Sequence, residues 1–165
     1  MKSLLEQPVA RFVAELSPVL AAIGGEVATS ERDVALEAFN IAVAFVDADG
    51  RATDDELWAL VTTFAPRFDT MLAYATPEDV RRAGLIDGKR RWLDAPSTLF
   101  EILVADDRRR GTARAQRYYE LAMAVAHAVG ALDEHPARQE LEAIDAFRSM
   151  LLAAMGPTGG PLTAA

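Results

Sequence analysis

Residues 45–58 read FVDADGRATDDELW, and this stretch decides how the chain folds. Apolar residues recur at helical spacing on both sides of it, so the stretch joins two helices. Gly50 fits the left-handed turn that ends the first helix. Thr53 and Glu56 fit the S/T-x-x-E capping box that starts the second helix, and the acidic residues between them favour its positive N-terminus. The stretch therefore predicts a helix–turn–helix junction.

The same stretch has the acidic spacing of a calcium-binding loop. Such a loop needs oxygen ligands at positions 1, 3, 5 and 12, with glycine at position 6. With Gly50 at position 6, Asp47, Asp49 and Glu56 occupy positions 3, 5 and 12. Position 1 then falls on Phe45, which has no ligand oxygen. A standard calcium loop is therefore broken, and on spacing alone the residues fit helix capping better than metal binding.

A second copy of the pattern lies nearer the C-terminus. AVGALDEHPARQELEAI at residues 128–144 aligns with AFVDADGRATDDELWAL at residues 44–60 at a constant offset of 84 residues. The copies share two acidic positions: Asp49 with Asp133, and Glu56 with Glu140. The repeat is weak, because Glu134 replaces the turn glycine and Ala137 replaces the cap threonine. If the two junctions pack with pseudo-twofold symmetry, their acidic turns meet and can share a cation.

Length and composition favour one helical domain. The chain has 165 residues, of which 51% are hydrophobic and 7% aromatic, and Ala, Leu, Glu and Arg favour helices over strands. The absence of cysteine excludes disulfides and thiolate metal sites. A net charge of −8 argues against general affinity for nucleic acid or anionic lipid. The longest apolar run, residues 121–132, is too short to span a bilayer, so we expect a cytoplasmic protein without membrane insertion.

Caps and breakers predict about eight helices in a single domain over residues 1–155. We expect a first helix over residues 4–23, kinked or divided by Pro18, and a second over residues 31–46 with Ser30 as its N-cap. Three further helices are expected after Thr53, around residues 66–75, and from Pro77 with Thr76 as N-cap. The last three are expected through residues 97–110, opened by Asp94 and Pro96 and closed by Gly111; after Thr112 as N-cap; and from Pro136 to Gly156. Residues 156–165 are rich in Gly and Pro, as in a flexible tail or linker.

The chain shows no constellation for catalysis. His127 lies in an apolar helix and His135 precedes Pro136 in a turn, and neither is paired with a recognisable nucleophile. We therefore expect that the protein is not an enzyme.

Three residues are candidates for contact with a protein partner: Arg91, Trp92 and Tyr119. Trp92 follows a basic cluster and either forms an exposed recognition patch or packs under a loop. Tyr118 and Tyr119 are adjacent on one helix and face different directions. One of these tyrosines therefore belongs to the core and the other reaches a surface.

FVDADGRATDDELW resembles the helix–DG–helix signature of the TerB-like domains, named for a tellurite-resistance protein. The second acidic turn is similar to their internal repeat. Residues 75–152, with the run YYELA…LDE…EL, resemble the TerB-like region ahead of the ATPase module in actinobacterial AAA-type ATPases, and the similarity spans about residues 30–155. The resemblance implies an all-α, TerB-like helical bundle with two pseudo-repeated helix–turn–helix junctions.

The resemblance also implies two functions. In TerB-like domains the acidic residues at these turns are associated with a divalent cation, here Ca²⁺ or Mg²⁺. Together with Asp47 from the loop spacing, the candidate ligands are Asp47, Asp49, Glu56, Asp133 and Glu140. The first function is a non-catalytic interaction or regulatory module, either the N-terminal domain or the partner of an AAA-type ATPase. The alternative is an autonomous cation-binding protein linked to metal or tellurite stress.

Overall fold

The computed structural model describes residues 3–23, 27–68, 76–134 and 137–156, with the backbone alone for residues 27–30. Within these ranges the chain contains seven α-helices, one 3-10 helix and no strand, which confirms the all-α prediction for this part of the chain. The elements are α1 (Glu6–Ile23), α2 (Val27–Val46), α3 (Asp54–Phe64), α4 (Pro77–Arg82), the 3-10 helix Lys89–Leu93, α5 (Thr98–Arg110), α6 (Arg114–Gly130) and α7 (Arg138–Met155).

One predicted helix does not contribute to this set. Residues 65–67 form a turn, and residues 69–75 lie outside the described ranges. The Gly/Pro-rich segment that we expect to be a tail also lies outside them, apart from Gly156, which follows α7. None of the described helices combines the length and the apolar character needed to cross a bilayer.

α2 lies at the centre of the bundle. Every residue from Glu37 to Val46 is buried, and the helix packs against α1, α6 and the 3-10 helix, with smaller contacts to α3 and α7. A helical segment that is buried on all sides is stable only when neighbouring elements surround it. Because neighbours pack around the C-terminal half of α2, the acidic turn that follows it starts from a well-packed position.

α1 runs through Pro18 without interruption, so the expected division of this helix is wrong. Proline cannot donate the helical hydrogen bond to the carbonyl four residues earlier. The apolar face of α1, which includes Phe12 and Leu16, is buried against α2 and α6. This tertiary contact outweighs the local cost of the proline, as is usual for helices in a packed domain.

Local caps set several helix boundaries as predicted. The Thr76 hydroxyl accepts from the Asp79 backbone N–H at 3.2 Å, and the Asp79 carboxylate accepts in return from Thr76, which forms a capping box at the start of α4. Gly111 ends α5 with φ 69°, a left-handed conformation that glycine adopts without strain. Gly50 has φ 73° in the turn after α2. These three signals are confirmed.

The predicted start of α2 is wrong, whereas that of α5 agrees with the structure within one residue. α2 begins at Val27 and not at residue 31, so Ser30 lies inside the helix and is not its N-cap. α5 begins at Thr98, after Ser97, whose hydroxyl accepts from the Phe100 backbone N–H at 3.1 Å; Asp94 ends the preceding 3-10 helix. The difference at α2 is within the usual uncertainty of local signals.

The N-terminus of α6 is capped from the preceding helix, not by Thr112. The Asp107 carboxylate accepts from the backbone N–H groups of Arg114 at 2.9 Å and Ala115 at 2.8 Å. The Thr112 hydroxyl donates to the same carboxylate. Asp107 therefore supplies the negative charge that a helix N-terminus favours, and it also fixes α5 to α6.

Candidate metal centre

The two helix–turn–helix junctions bring their acidic side chains together. The first junction joins α2 to α3, and the second joins α6 to α7; α2 packs against both α6 and α7. One carboxylate oxygen each of Glu56, Asp133 and Glu140 lies within 4.8 Å of the others. We call these residues the three-carboxylate cluster. Glu56 and Glu140, which the repeat aligns at an offset of 84 residues, are therefore close together in the structure.

Glu140 is the least compensated member of the cluster. It is 1% exposed, and neither of its carboxylate oxygens has a hydrogen-bond partner among the described residues. A buried carboxylate without donors costs free energy, because it has lost its hydration. The ion pairs formed within the described ranges all involve other acidic residues, so no Lys or Arg there neutralises the cluster.

Glu56 is equally buried but is hydrogen-bonded. Its Oε2 accepts from the Thr53 backbone N–H at 2.8 Å and from the Thr53 hydroxyl at 3.1 Å, and the Glu56 N–H donates to that hydroxyl. The Thr53 hydroxyl also lies 3.4 Å from Oδ1 of Asp133. A hydroxyl has one proton, so it donates to only one of these carboxylates at a time. Thr53 thus completes the predicted capping box and also contacts the second junction.

Burial raises the pKa of Glu56 and of Glu140 to about 7. The charge of Asp133 raises both pKa values further, and Asp49 adds to the effect on Glu140. Hydrogen bonds from Thr53 oppose the increase for Glu56. The Ala137 backbone N–H weakly lowers the Glu140 pKa, although the pair does not reach hydrogen-bond geometry. At neutral pH the cluster therefore holds onto protons or attracts a cation.

Two of the five candidate ligands lie outside the cluster. The Asp49 carboxylate accepts from the Arg51 backbone N–H at 2.8 Å and acts on Glu140 through its charge. The Asp47 carboxylate accepts from the backbone N–H of Arg90 at 3.1 Å, which ties the acidic turn to the 3-10 helix. Asp49 therefore adds negative charge near the cluster, whereas Asp47 holds the acidic turn against the 3-10 helix.

The candidates for partner contact differ in exposure. Arg91 is exposed, whereas Trp92 and Tyr119 are half-buried and pack against the core. The indole N–H of Trp92 is buried and has no hydrogen-bond partner within the described ranges. Of the two alternatives for Trp92, the structure therefore agrees with packing against the core and not with an exposed recognition patch. Tyr118 is 2% exposed and contacts the ring of Phe100 at a centroid distance of 4.8 Å, so the two tyrosines do face different surroundings.

A buried polar network was not predicted from the sequence. Glu37 is 7% exposed, and its Oε2 accepts from the Ser97 hydroxyl at 2.6 Å and the Tyr118 hydroxyl at 3.2 Å. Burial raises its pKa, and the two hydrogen bonds oppose the increase. The sequence signal that could have indicated this network is the position of Glu37 at the start of the mostly apolar run from residue 37 to residue 46. Because all its described contacts are internal, this network connects α2, α5 and α6 and has no evident ligand.

Two exposed apolar side chains near the cluster were not predicted from the sequence either. Trp58 in α3 is 47% exposed and Leu141 in α7 is 50% exposed. They lie one turn or less along the chain from Glu56 and Glu140, on the two helices that begin at the cluster. Helical spacing alone could not distinguish these residues from core positions.

The comparisons with known proteins found no match among family models, curated proteins or solved structures. The fold and the site therefore define its class by themselves. The described part of the chain is an all-α bundle in which two helix–turn–helix junctions meet at the three-carboxylate cluster, where Glu56 and Glu140 are buried and Asp133 is half-buried.

Proposed function

We propose that this protein is a non-catalytic helical module that binds a divalent cation, Ca²⁺ or Mg²⁺, at the three-carboxylate cluster. The observation that carries the proposal is the state of Glu140, which is 1% exposed and has two carboxylate oxygens without hydrogen-bond partners in the described ranges. One of these oxygens lies within 4.8 Å of oxygens from Glu56 and Asp133. A cation there would neutralise the charge and replace the missing donors.

The chemistry of the cluster fits a hard cation. Ca²⁺ and Mg²⁺ prefer oxygen ligands, and carboxylates are the usual ones. Ca²⁺ takes about 6–8 oxygens at roughly 2.3–2.6 Å, so two oxygens on opposite sides of one ion lie about 5 Å apart. The oxygen separations in the cluster are compatible with this geometry. Three carboxylates do not fill the coordination shell, so we expect waters to complete it and the affinity to be moderate.

Calorimetric titration of chelator-treated protein with CaCl₂ and MgCl₂ tests the proposal. Wild-type protein should saturate with one ion, and Glu140→Gln should lower the affinity at least tenfold, because the amide keeps the shape but loses the charge. Asp47→Asn is the matched control, since Asp47 bonds to the 3-10 helix and should leave the affinity unchanged. Failure to saturate at millimolar ion, or equal binding by Glu140→Gln, would contradict the proposal.

Contact with a protein partner is a second candidate function, favoured by the exposure of Trp58 and Leu141. Trp is prominent among the residues that dominate binding at protein interfaces. We propose that these two side chains contribute to an interface, and that the partner is an AAA-type ATPase module in cis or in trans, as the sequence resemblance implies. In this proposal the cation regulates the module by fixing the starts of α3 and α7.

Co-purification with an ATPase module encoded in the same reading frame or beside it tests this second function. Trp58→Ser should weaken the association, whereas Ile102→Ser, at a similarly exposed apolar position on α5, should not. The absence of any such module, or association unaffected by Trp58→Ser, would contradict it. Cation binding without a partner would instead favour the autonomous cation-binding protein.

A further inference from the structure

The two junctions differ at one capping position. We infer that Ala137 sets the cation affinity of the three-carboxylate cluster, because its lack of a side-chain donor leaves Glu140 free to ligate. The inference rests on the proposed cation-binding function. It assigns a positioning role to a residue that does not itself supply a ligand.

The two caps have the same backbone conformation but different side chains. Thr53, the N-cap of α3, has φ −79° and ψ 160° and forms a complete capping box with Glu56. Ala137, the N-cap of α7, has φ −66° and ψ 151° and makes no side-chain hydrogen bond. Glu56 and Glu140 each lie three residues after their cap and are each 1% exposed. Glu56 and Glu140 therefore occupy equivalent positions, but only Glu56 has a hydroxyl on its N-cap residue.

The hydrogen bonding of each carboxylate depends on the side chain of its N-cap residue. Oε2 of Glu56 accepts two hydrogen bonds from Thr53, so this oxygen is already occupied and the side chain is held in place. Neither oxygen of Glu140 has a partner among the residues described. A hydrogen bond uses one lone pair of the accepting oxygen and draws off part of its negative charge, which makes that oxygen a weaker ligand for a cation. The Glu140 carboxylate accepts no side-chain hydrogen bond within the described ranges, so no hydroxyl competes with an ion for its oxygens.

Restoring a capping hydroxyl at the second junction should therefore weaken the site. Threonine at position 137 is compatible with the extended backbone there, because Thr53 has almost the same φ and ψ. Its hydroxyl would donate to Glu140 as the Thr53 hydroxyl does to Glu56. The Glu140 carboxylate would then be shared between the cap and the ion, as the Glu56 carboxylate would be in the proposed site.

Calorimetric CaCl₂ titration of three variants tests the inference. Ala137→Thr should raise the dissociation constant roughly tenfold relative to Ala137→Val, which has the same shape without the hydroxyl. Ala113→Thr is the matched control: Ala113 is the N-cap of α6, also without a side-chain cap, and should keep the wild-type affinity. Equal dissociation constants for the Thr and Val variants would overturn the inference while leaving the proposed function intact. No saturable Ca²⁺ or Mg²⁺ binding by wild-type protein would overturn the proposed function itself.

Discussion

Thr53 shows how much one side chain contributes at this site. Its hydroxyl caps α3, supports Glu56 and reaches Asp133 on the second junction. A local capping residue thereby becomes a contact between two segments 80 residues apart in the sequence. The capping role and the placement of the carboxylates cannot be separated at this position.

Thr53→Ala should lower the free energy of unfolding by about 1 kcal/mol, as measured by urea denaturation in the presence of a chelator. The change removes the acceptor for the Glu56 backbone N–H and one of the two donors to the Glu56 carboxylate. Thr62→Ala is the control, since Thr62 is exposed within α3 and alanine favours the helix. A destabilisation no larger than that of the control would show that the capping box contributes little.

At the scale of elements, α5 and α6 are joined by a carboxylate instead of a local cap. Asp107 in α5 accepts from two backbone N–H groups of α6 and from the Thr112 hydroxyl. The angle between the two helices is therefore fixed at their junction as well as by their apolar faces.

Asp107→Ala should lower the free energy of unfolding by about 1–2 kcal/mol, because two N–H groups at the start of α6 lose their acceptor. Thr112→Ala should cost much less, since the Thr112 side chain contacts the carboxylate and not the helix N-terminus. Urea denaturation of both variants measures the difference. The reverse order of stability would restore Thr112 as the cap that the sequence predicts.

The same elements explain which features the sequence could predict. Gly50, Gly111, the Thr53 capping box and the Thr76 N-cap are local signals, and each is found where predicted. The Asp107 cap and the continuous helix through Pro18 depend on neighbouring helices, so local patterns gave the wrong result.

The site divides in the same way. The repeat predicted that Glu56 and Glu140 belong to matching junctions, and the all-helical packing brings them together. The contact from Thr53 to Asp133 and the lack of partners for Glu140 depend on side-chain geometry that residue spacing does not specify. Asp47 had the right spacing for a ligand, but its carboxylate bonds to the 3-10 helix instead.

At the scale of the whole molecule, the cluster makes stability depend on pH. In the unfolded chain a glutamate ionises near its ordinary pKa of 4.5, whereas burial raises the pKa of Glu56 and Glu140 to about 7 in the fold. Between these values the folded state binds more protons than the unfolded state. Stability therefore decreases as pH rises through this window. Glu37, whose pKa is also raised by burial, acts in the same direction.

Without a cation, the free energy of unfolding should fall between about pH 4.5 and pH 7, by on the order of 3 kcal/mol for each fully shifted carboxylate. Thermal or urea denaturation in chelator across this range measures it. Glu140→Gln should flatten the dependence, and saturating Ca²⁺ should raise stability most at the upper end, where the carboxylates are ionised. Stability that is constant or increases with pH would contradict the burial of these groups as ionisable side chains.

The buried C-terminal half of α2, residues 37–46, has a consequence for how the molecule moves. Amides that are buried on every side exchange with deuterium only when the surrounding structure opens as a unit, so those of residues 40–46 should exchange with the free energy of global unfolding. A cation bound at the cluster would then slow exchange mainly in α3 and α7, whose first turns carry Glu56 and Glu140. Cation binding would therefore change the local stability of α3 and α7, whereas the buried half of α2 would keep the same protection in both states.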